Sequence, residues 1–171
     1  HVDHGLREHS HTEAELVAQL AIQLGAQFES RSVAVESGAN TEARAREARY
    51  SVLPQGVMTG HTADDQAETI LINLLRGSGT RGLAGMQPTA QRPLLHIRRI
   101  ETEALCSALG IEVFKDPSND DERFQRNRIR HEVLPLLESL AKRDLVPVLT
   151  RQADLLRDDD DLLNELAGAL D

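Results

Sequence analysis

Apolar positions recur along this chain at two spacings. In "SHTEAELVAQLAIQLG", Val17, Leu20, Ala21 and Leu24 repeat every three or four residues, the stripe of an amphipathic helix. Ser10 and Glu13 form a capping box at its start, and Gly25 is a natural stop. "QFESRSVAVE" alternates in part and carries Val33 and Val35, which predicts a strand. "SGAN" turns the chain, and the Ala, Arg and Glu of "TEARAREARYSVL" favour helix. "GVMTGH" predicts a short strand ending at Gly60, followed by a helix from Thr62 to Arg76. Further on, "RPLLHI" is expected to be extended, "RIETEALCSALG" helical, "IEVFKD" a strand and "DPSND" a turn. "RIRHEVLPLLESL" and "VPVLTRQADLLRDDDDLLNELAGAL" read as helices.

Strands alternating with helices predict an α/β fold built on a parallel sheet. From Arg130 onward the pattern is helical alone. The expected division is therefore an α/β domain over 1–130 and a helical appendage over 131–171. No internal repeat is visible.

At 171 residues, 40% hydrophobic and 27% charged, the chain can bury a core and is expected to be soluble. No apolar run approaches the roughly 18 to 20 residues of a membrane span. No secretory signal pattern stands at the start, so the expected location is the cytoplasm, away from membranes. The first residue is His1 rather than Met, and "HVDHG" resembles the end of a strand entering a loop, so an N-terminally incomplete chain is expected. A single cysteine, Cys106, excludes a disulfide framework and a multi-cysteine metal site within these residues, and it suits a reducing compartment.

The net charge of −9 argues against a protein that coats nucleic acid. The distribution is uneven, however. Acids crowd the C-terminal segment, where Asp158 to Asp161 read as a solvated helix face. Arginines crowd "ERFQRNRIRHEV", which leaves room for a local basic site on an acidic body. The aromatics are Phe28, Tyr50, Phe114 and Phe124, too few for a broad base-stacking platform.

The chemistry concentrates in "GHTADDQAETILINLLRGSGTRGLAGM". At about 100° per residue, a helix carrying His61 at zero puts Asp65 near +40°, Glu68 near −20° and Asp64 near −60°. Ala63, Ala67, Ile70, Leu71 and Leu74 then form the opposite, buried face. In open α/β sheets ligands sit at the carboxyl ends of strands, and the strand-to-helix junction after "GVMTG" puts His61 there. Acids at a helix start also suit the dipole without any ligand, which accounts for Asp64 and Asp65 better than for Glu68 or His61. Carboxylates one turn apart suit an ammonium group or a divalent cation, and the residues alone leave that choice open. His1, His4, His9 and His11 lack regular ligand spacing and read as loop residues rather than a metal tract. The run Gly77, Gly79, Gly82 and Gly85 is not a Walker A motif, and a flexible linker explains it better than a binding loop. Arg123, Arg126 and Arg130 fall on one helical face with Arg128 to the side. That face suits phosphate oxygens or, with glutamate pairs, plain solvation.

Taken in order, "HVDHGLR", "NTEARAREARY", "GHTADDQAETILINLLRGSGTRGLAGM", "RPLL", "DPSND" and "RNRIRHEVLPLL" resemble the tRNA(Ile)-lysidine synthetases. These are PP-loop enzymes, or N-type ATP pyrophosphatases. The resemblance runs from His1 to about Leu137. It implies a doubly wound parallel sheet followed by helices that help to hold tRNA. It implies ATP as a substrate, accompanied by Mg2+. It also implies adenylation of the wobble cytidine in the isoleucine tRNA with anticodon CAU. The ε-amine of free lysine then displaces AMP to give lysidine.

By the same resemblance Asp65 and Glu68 hold the lysine, and His61 stands beside the reacting groups with Asp65 and Arg130. Arg126, Asn127 and Arg130 of "RNRIR" lie on the nucleotide and phosphate side. Arg46 and Arg49 of "REARY" are brought toward the same pocket, and Asp3 and His4 lie close to the nucleotide. Either His61 or an acid accepts the proton that lysine must lose before attack.

Two departures stand out. The Ser-Gly-Gly-x-Asp-Ser phosphate loop of the family is absent and is expected upstream of His1, so these residues alone are expected to be inactive. The connections "SVLPQGVMTGH" and "MQPTAQRPLL" also look short for the family. Rival readings are a two-thiocytidine synthetase type, which needs several cysteines, and an amidotransferase relative, which needs a second domain. A non-catalytic tRNA-binding or interaction domain and a metal-dependent hydrolase complete the set.

Overall fold

The computed structural model describes residues 1–3, 10–33, 41–111, 113 and 117–169. These residues form two compact units, His1–Val57 and Met58–Asp171.

The first unit contains strand β1 (Val2–Asp3), helix α1 (Ser10–Gln23), strand β2 (Arg31–Ser32) and helix α2 (Thr41–Val52). β1 and β2 pair in parallel, with Val2 opposite Arg31 and Asp3 opposite Ser32. Gly25, at φ 65°, ends α1 in the left-handed conformation that a residue without Cβ adopts at no steric cost. Both helices follow the spacing and composition of their segments.

The second unit is helical. It comprises α3 (Ala63–Leu75), α4 (Thr80–Leu83), α5 (Arg99–Ala108), α6 (Gln125–Arg128), α7 (Leu134–Ala141) and α8 (Val146–Gly168). A 3-10 turn covers Pro117–Asp120, and a π-helical turn, Ile129–Val133, joins α6 to α7. Residues 125–141 thus run as one helical stretch with an extra residue in its middle turn.

The core of this unit is built on α3. Ala63, Ala67 and Leu71 recur every fourth residue and pack with Ile72, Ile129, Leu134 and Val146. Val133, Leu137, Leu145 and Leu149 close around them. Ala67 on α3 and Ala153 on α8 retain no exposed surface, so small side chains stand where these two packed helices are buried.

Several expectations need correction. Among the described residues the sheet is the single pair β1–β2, not an extended parallel sheet. The strand expected from 27 to 36 shrinks to Arg31–Ser32, and 34–36 lie outside the described residues. "GVMTGH" is without regular structure after a turn at 55–56, and the Thr59 N–H donates to Gln91 O in a turn segment rather than to a strand. "RPLLHI" folds into turns, with Leu95 N and Ile97 N donating to Arg92 O and Leu94 O. Most of "IEVFKD" lies outside the described residues. Leu74, expected in the buried face, is 56% exposed. The helix stops at Leu75, where Gly77 turns at φ 74°, so its last turn projects beyond the core.

The glycine run is not a loose linker. It folds into α4, which packs on α3 and α8. Buried Gln66 donates to Met86 O at 3.1 Å and accepts from Met86 N at 2.8 Å. Arg157 of α8 donates to Ala84 O at 2.9 Å and to Met86 O at 3.3 Å. Gly85 sits between them at φ 65°, and a Cβ there would come within 2.8 Å of Gln66 Oε1. Gly85→Ala is expected to lower stability by about 1–3 kcal/mol, from backbone strain plus the clash. Urea denaturation followed by circular dichroism checks this, and an unchanged midpoint contradicts it.

Candidate active site

Helix α3 begins with a capping box. Thr62 N and Oγ1 donate to Asp65 Oδ2 at 2.9 and 2.8 Å, and Asp65 N lies 3.5 Å from Thr62 Oγ1. One oxygen of Asp65 is thereby committed to the helix start, and Oδ1 faces the arginines described below. Thr62 is the cap, Asp65 is its capping-box partner, and Asp64 is a support. Asp64 Oδ2 accepts from the backbone N–H of Arg99 at 2.7 Å, and Oδ1 from Arg98 Nη2 at 3.1 Å. Arg98 also pairs with Asp144. Burial pushes the Asp64 carboxyl up, but the hydrogen bonds from Arg98 and Arg99 and the two positive charges outweigh it. Its pKa lies below the ordinary 3.8.

Glu68 is 1% exposed, the most deeply buried of the charged side chains in the core. Such burial requires paired charge. Arg130 supplies it with two parallel bonds, Nε to Oε1 at 2.6 Å and Nη2 to Oε2 at 3.1 Å. Arg99 Nη2 lies 3.3 Å from Glu68 Oε1 and 3.4 Å from Asp65 Oδ1. Arg126 stands farther off, at 3.8 Å from Glu68 Oε2 and 4.0 Å from Asp65 Oδ1, and donates to Thr69 Oγ1 at 3.2 Å. Arg130 Nη2 also approaches Asp65 Oδ1, at 3.7 Å. Burial lowers the Arg130 pKa, but Glu68, Asp65 and Asp64 more than offset it, so the guanidinium stays charged.

The arrangement is therefore four carboxylates (Asp64, Asp65, Glu68, Asp144) matched by four guanidinium groups (Arg98, Arg99, Arg126, Arg130). The acidic face of α3 is not open to solvent, as its helical angles implied, but covered by arginines. In chemical terms, carboxylates such as Asp65 and Glu68 can hold a cation, and guanidinium groups such as Arg99, Arg126 and Arg130 can hold anions.

The expected site residues fall into two groups. Asp65, Glu68, Arg126 and Arg130 meet in this cluster. His61 lies just before the cap residue, with Nδ1 2.7 Å from Thr59 Oγ1. Thr59 holds Gln91 O through both its amide, at 2.7 Å, and its hydroxyl, at 3.2 Å. Asn127 is buried and donates to Asp121 O at 2.9 Å, tying α6 to the preceding turn. Arg123 departs from the expected face. It precedes α6 and pairs in the open with Asp121 at 2.6 Å. Arg128 pairs with Glu132 at 3.1 Å.

Asp3, Arg46 and Arg49 belong to the first unit, Asp3 in β1 and the two arginines in α2. Arg49 is exposed. The side chains of Asp3 and Arg46, and all of His4, lie outside the description. Arg98 and Arg99 were missed by sequence reasoning. The signal was present as a double arginine directly before the acid of a helix start, "RRIE".

Among the described residues no three His, Cys, Asp or Glu converge on a metal-sized site. Among them also, no helix is long and apolar enough to cross a membrane.

The cluster's segments coincide with a known family. A family model described as a PP-loop domain matches residues 1–137. The chain belongs to the PP-loop family. Its similarity to curated proteins is more particular. It is 47% identical over 176 residues to the tRNA(Ile)-lysidine synthase of Mycobacterium tuberculosis, covering 98% of this chain and 54% of that one. It is 45% identical to the protein of the same name in Rhodococcus erythropolis, covering 99% and 55%. For the one in Thermobifida fusca the identity is 43%, covering 97% and 55%. The chain spans about half the length of the curated relatives it matches.

Two outcomes test this electrostatic reading. Arg130→Met leaves Glu68 short of its bidentate partner and is expected to destabilise the protein by about 3 kcal/mol. Adding Glu68→Gln should recover part of that loss in urea unfolding, and a double variant no better than Arg130→Met contradicts it. Because the folded pKa of Asp64 is depressed, its contribution is present above the ordinary carboxylate value and disappears as pH falls through the lower folded one. Asp64→Asn is therefore expected to lose less stability than wild type on acidification below about pH 4. Parallel acid limbs in the two urea midpoints contradict this.

Proposed function

We propose that the protein is the ATP-dependent ligase that joins lysine to the wobble cytidine of the CAU-anticodon isoleucine tRNA. The reading rests on membership in the PP-loop family and on the names of the relatives. One structural observation carries it furthest. Two carboxylates one helical turn apart, Asp65 and Glu68, are enclosed by three arginines, so a seat for an amine adjoins a seat for phosphate oxygens.

Cytidine O2 attacks the α-phosphorus of ATP and pyrophosphate leaves. The amide-like oxygen becomes part of a good leaving group. The lysine ε-amine then attacks C2, the C2–O2 bond breaks, and AMP departs with that oxygen. Asp65 and Glu68 hold the lysine by its positive end, and either His61 or an acid accepts the proton that the amine must lose before it attacks. Arg126 and Arg130 stabilise charge building on the phosphate, and Asn127 orders the turn beside them. Holding both reactants at fixed positions supplies much of the rate.

Asp3, His4, Arg46 and Arg49 are assigned to the nucleotide or tRNA side. The α/β fold that the PP-loop family implies is assigned to 1–130, with 131–171 as its helical extension, and the parallel pairing of β1 with β2 supports that assignment. ATP enters with Mg2+ on its phosphates, as the resemblance to the PP-loop enzymes implies. The working compartment is the cytoplasm.

The test is ATP-dependent incorporation of labelled lysine into isoleucine tRNA by the full-length protein. Asp65→Asn is expected to raise the KM for lysine about tenfold or more, with a much smaller change for ATP. Equal effects on the two substrates argue against a lysine seat at Asp65, and absence of incorporation by wild type overturns the reading as a whole.

A further inference from the structure

The three arginines around Glu68 are not equivalent. Arg130 is bonded twice to Glu68, at 2.6 and 3.1 Å, and is its structural partner. Arg126 stays at 3.8 Å or beyond from both carboxylates and is engaged by Thr69. Arg99 differs from both. A single nitrogen, Nη2, sits between Asp65 Oδ1 at 3.4 Å and Glu68 Oε1 at 3.3 Å. Both distances lie at the long end of the hydrogen-bond range, so neither contact is tight. The side chain is also 30% exposed, whereas the Glu68 carboxylate beneath it is 1% exposed.

The backbone of Arg99 is fastened independently. Its N–H donates to Asp64 Oδ2 at 2.7 Å, and Glu101 holds the start of α5 through Arg98 N at 2.7 Å. The guanidinium can therefore leave without unravelling the helix that carries it. A nitrogen cation suspended between two carboxylates, loosely bound and on a separately anchored backbone, occupies the position a substrate ammonium requires.

We propose that Arg99 is a resident stand-in for the lysine ammonium, seated between Asp65 and Glu68 until lysine displaces it. This rests on the lysine reading above and adds a step to it. Lysine enters by exchanging one cation for another. The buried Glu68 is never left uncompensated, and the released guanidinium becomes a further anion-binding group. Lysine affinity is lowered by the fraction of molecules in which Arg99 holds the seat.

The experiment is calorimetric titration of L-lysine into the full-length protein as wild type, Arg99→Gln and Arg99→Lys. Removing the competing cation is expected to lower the lysine Kd about fivefold to tenfold in Arg99→Gln, while Arg99→Lys, which restores a cation, stays within about twofold of wild type. A Kd in Arg99→Gln equal to or above that of wild type overturns the proposal and makes Arg99 a supporting residue of the seat. Failure of Asp65→Asn to weaken lysine binding is a separate result, and it removes the lysine reading itself. Should Arg99→Gln not fold, the wild-type protein carries the same test. The Arg99 Nε–Hε resonance is expected to shift on saturation with lysine while that of Arg130 stays fixed, and an unmoved Arg99 signal overturns the proposal.

Discussion

The ion pair between Glu68 and Arg130 is the constraint around which the second unit is arranged. A carboxylate with almost no exposed surface is tolerated only when its charge is met at close range and its oxygens are bonded. Arg130 meets both conditions from a helical stretch distant in sequence, which fixes that stretch against α3. Its neighbour Ile129 is 1% exposed and packs into the core beside Ala63, Ala67 and Leu71. Helix α3 is thus gripped on two sides, by apolar contact on one and by arginines on the other. Charge matching and core packing specify the same placement, which is the kind of agreement between levels that favours a single native state.

The same pairing gives the site its resting condition. Without substrates, the groups suited to an amine and those suited to phosphates neutralise each other. On the proposed function, each substrate replaces an internal partner of like charge rather than entering a vacant charged cavity. That limits the desolvation cost of holding isolated charges ready for use. It also links the two substrates, since a group vacated by one becomes available to the other.

Much of the helical structure was legible. The stripe in α1, the composition of α2 and α5, and the start of α3 at Thr62 all appear where spacing and capping residues put them. The strands were less so, because pairing depends on partners far along the chain. Of the segment around Val33 and Val35, only Arg31 and Ser32 pair among the described residues. The candidate site was legible in halves. Asp65 and Glu68 share a face at a spacing of three, and Arg126 and Arg130 at a spacing of four. That the two faces meet is a tertiary fact with no local signature. Arg99 was hidden because its segment reads as the start of a helix. The π-helical turn at Ile129–Val133 was invisible for a related reason: the residues are ordinary helix formers, and the extra residue follows from packing.

The junction of Gln66, Gly85 and Arg157 bears on what counts as a unit in this family. The PP-loop match ends at residue 137, whereas Arg157 and Ala153 lie well beyond it, on a helix packed against α3 and the folded glycine run. A boundary drawn at the end of the match would cut through shared hydrogen bonds and expose Ala67. The segment matched by the family model is therefore smaller than the segment that packs together. Swapping modules between relatives calls for carrying α8 along with the glycine run it holds, and for treating positions 66 and 85 as a pair that must change together.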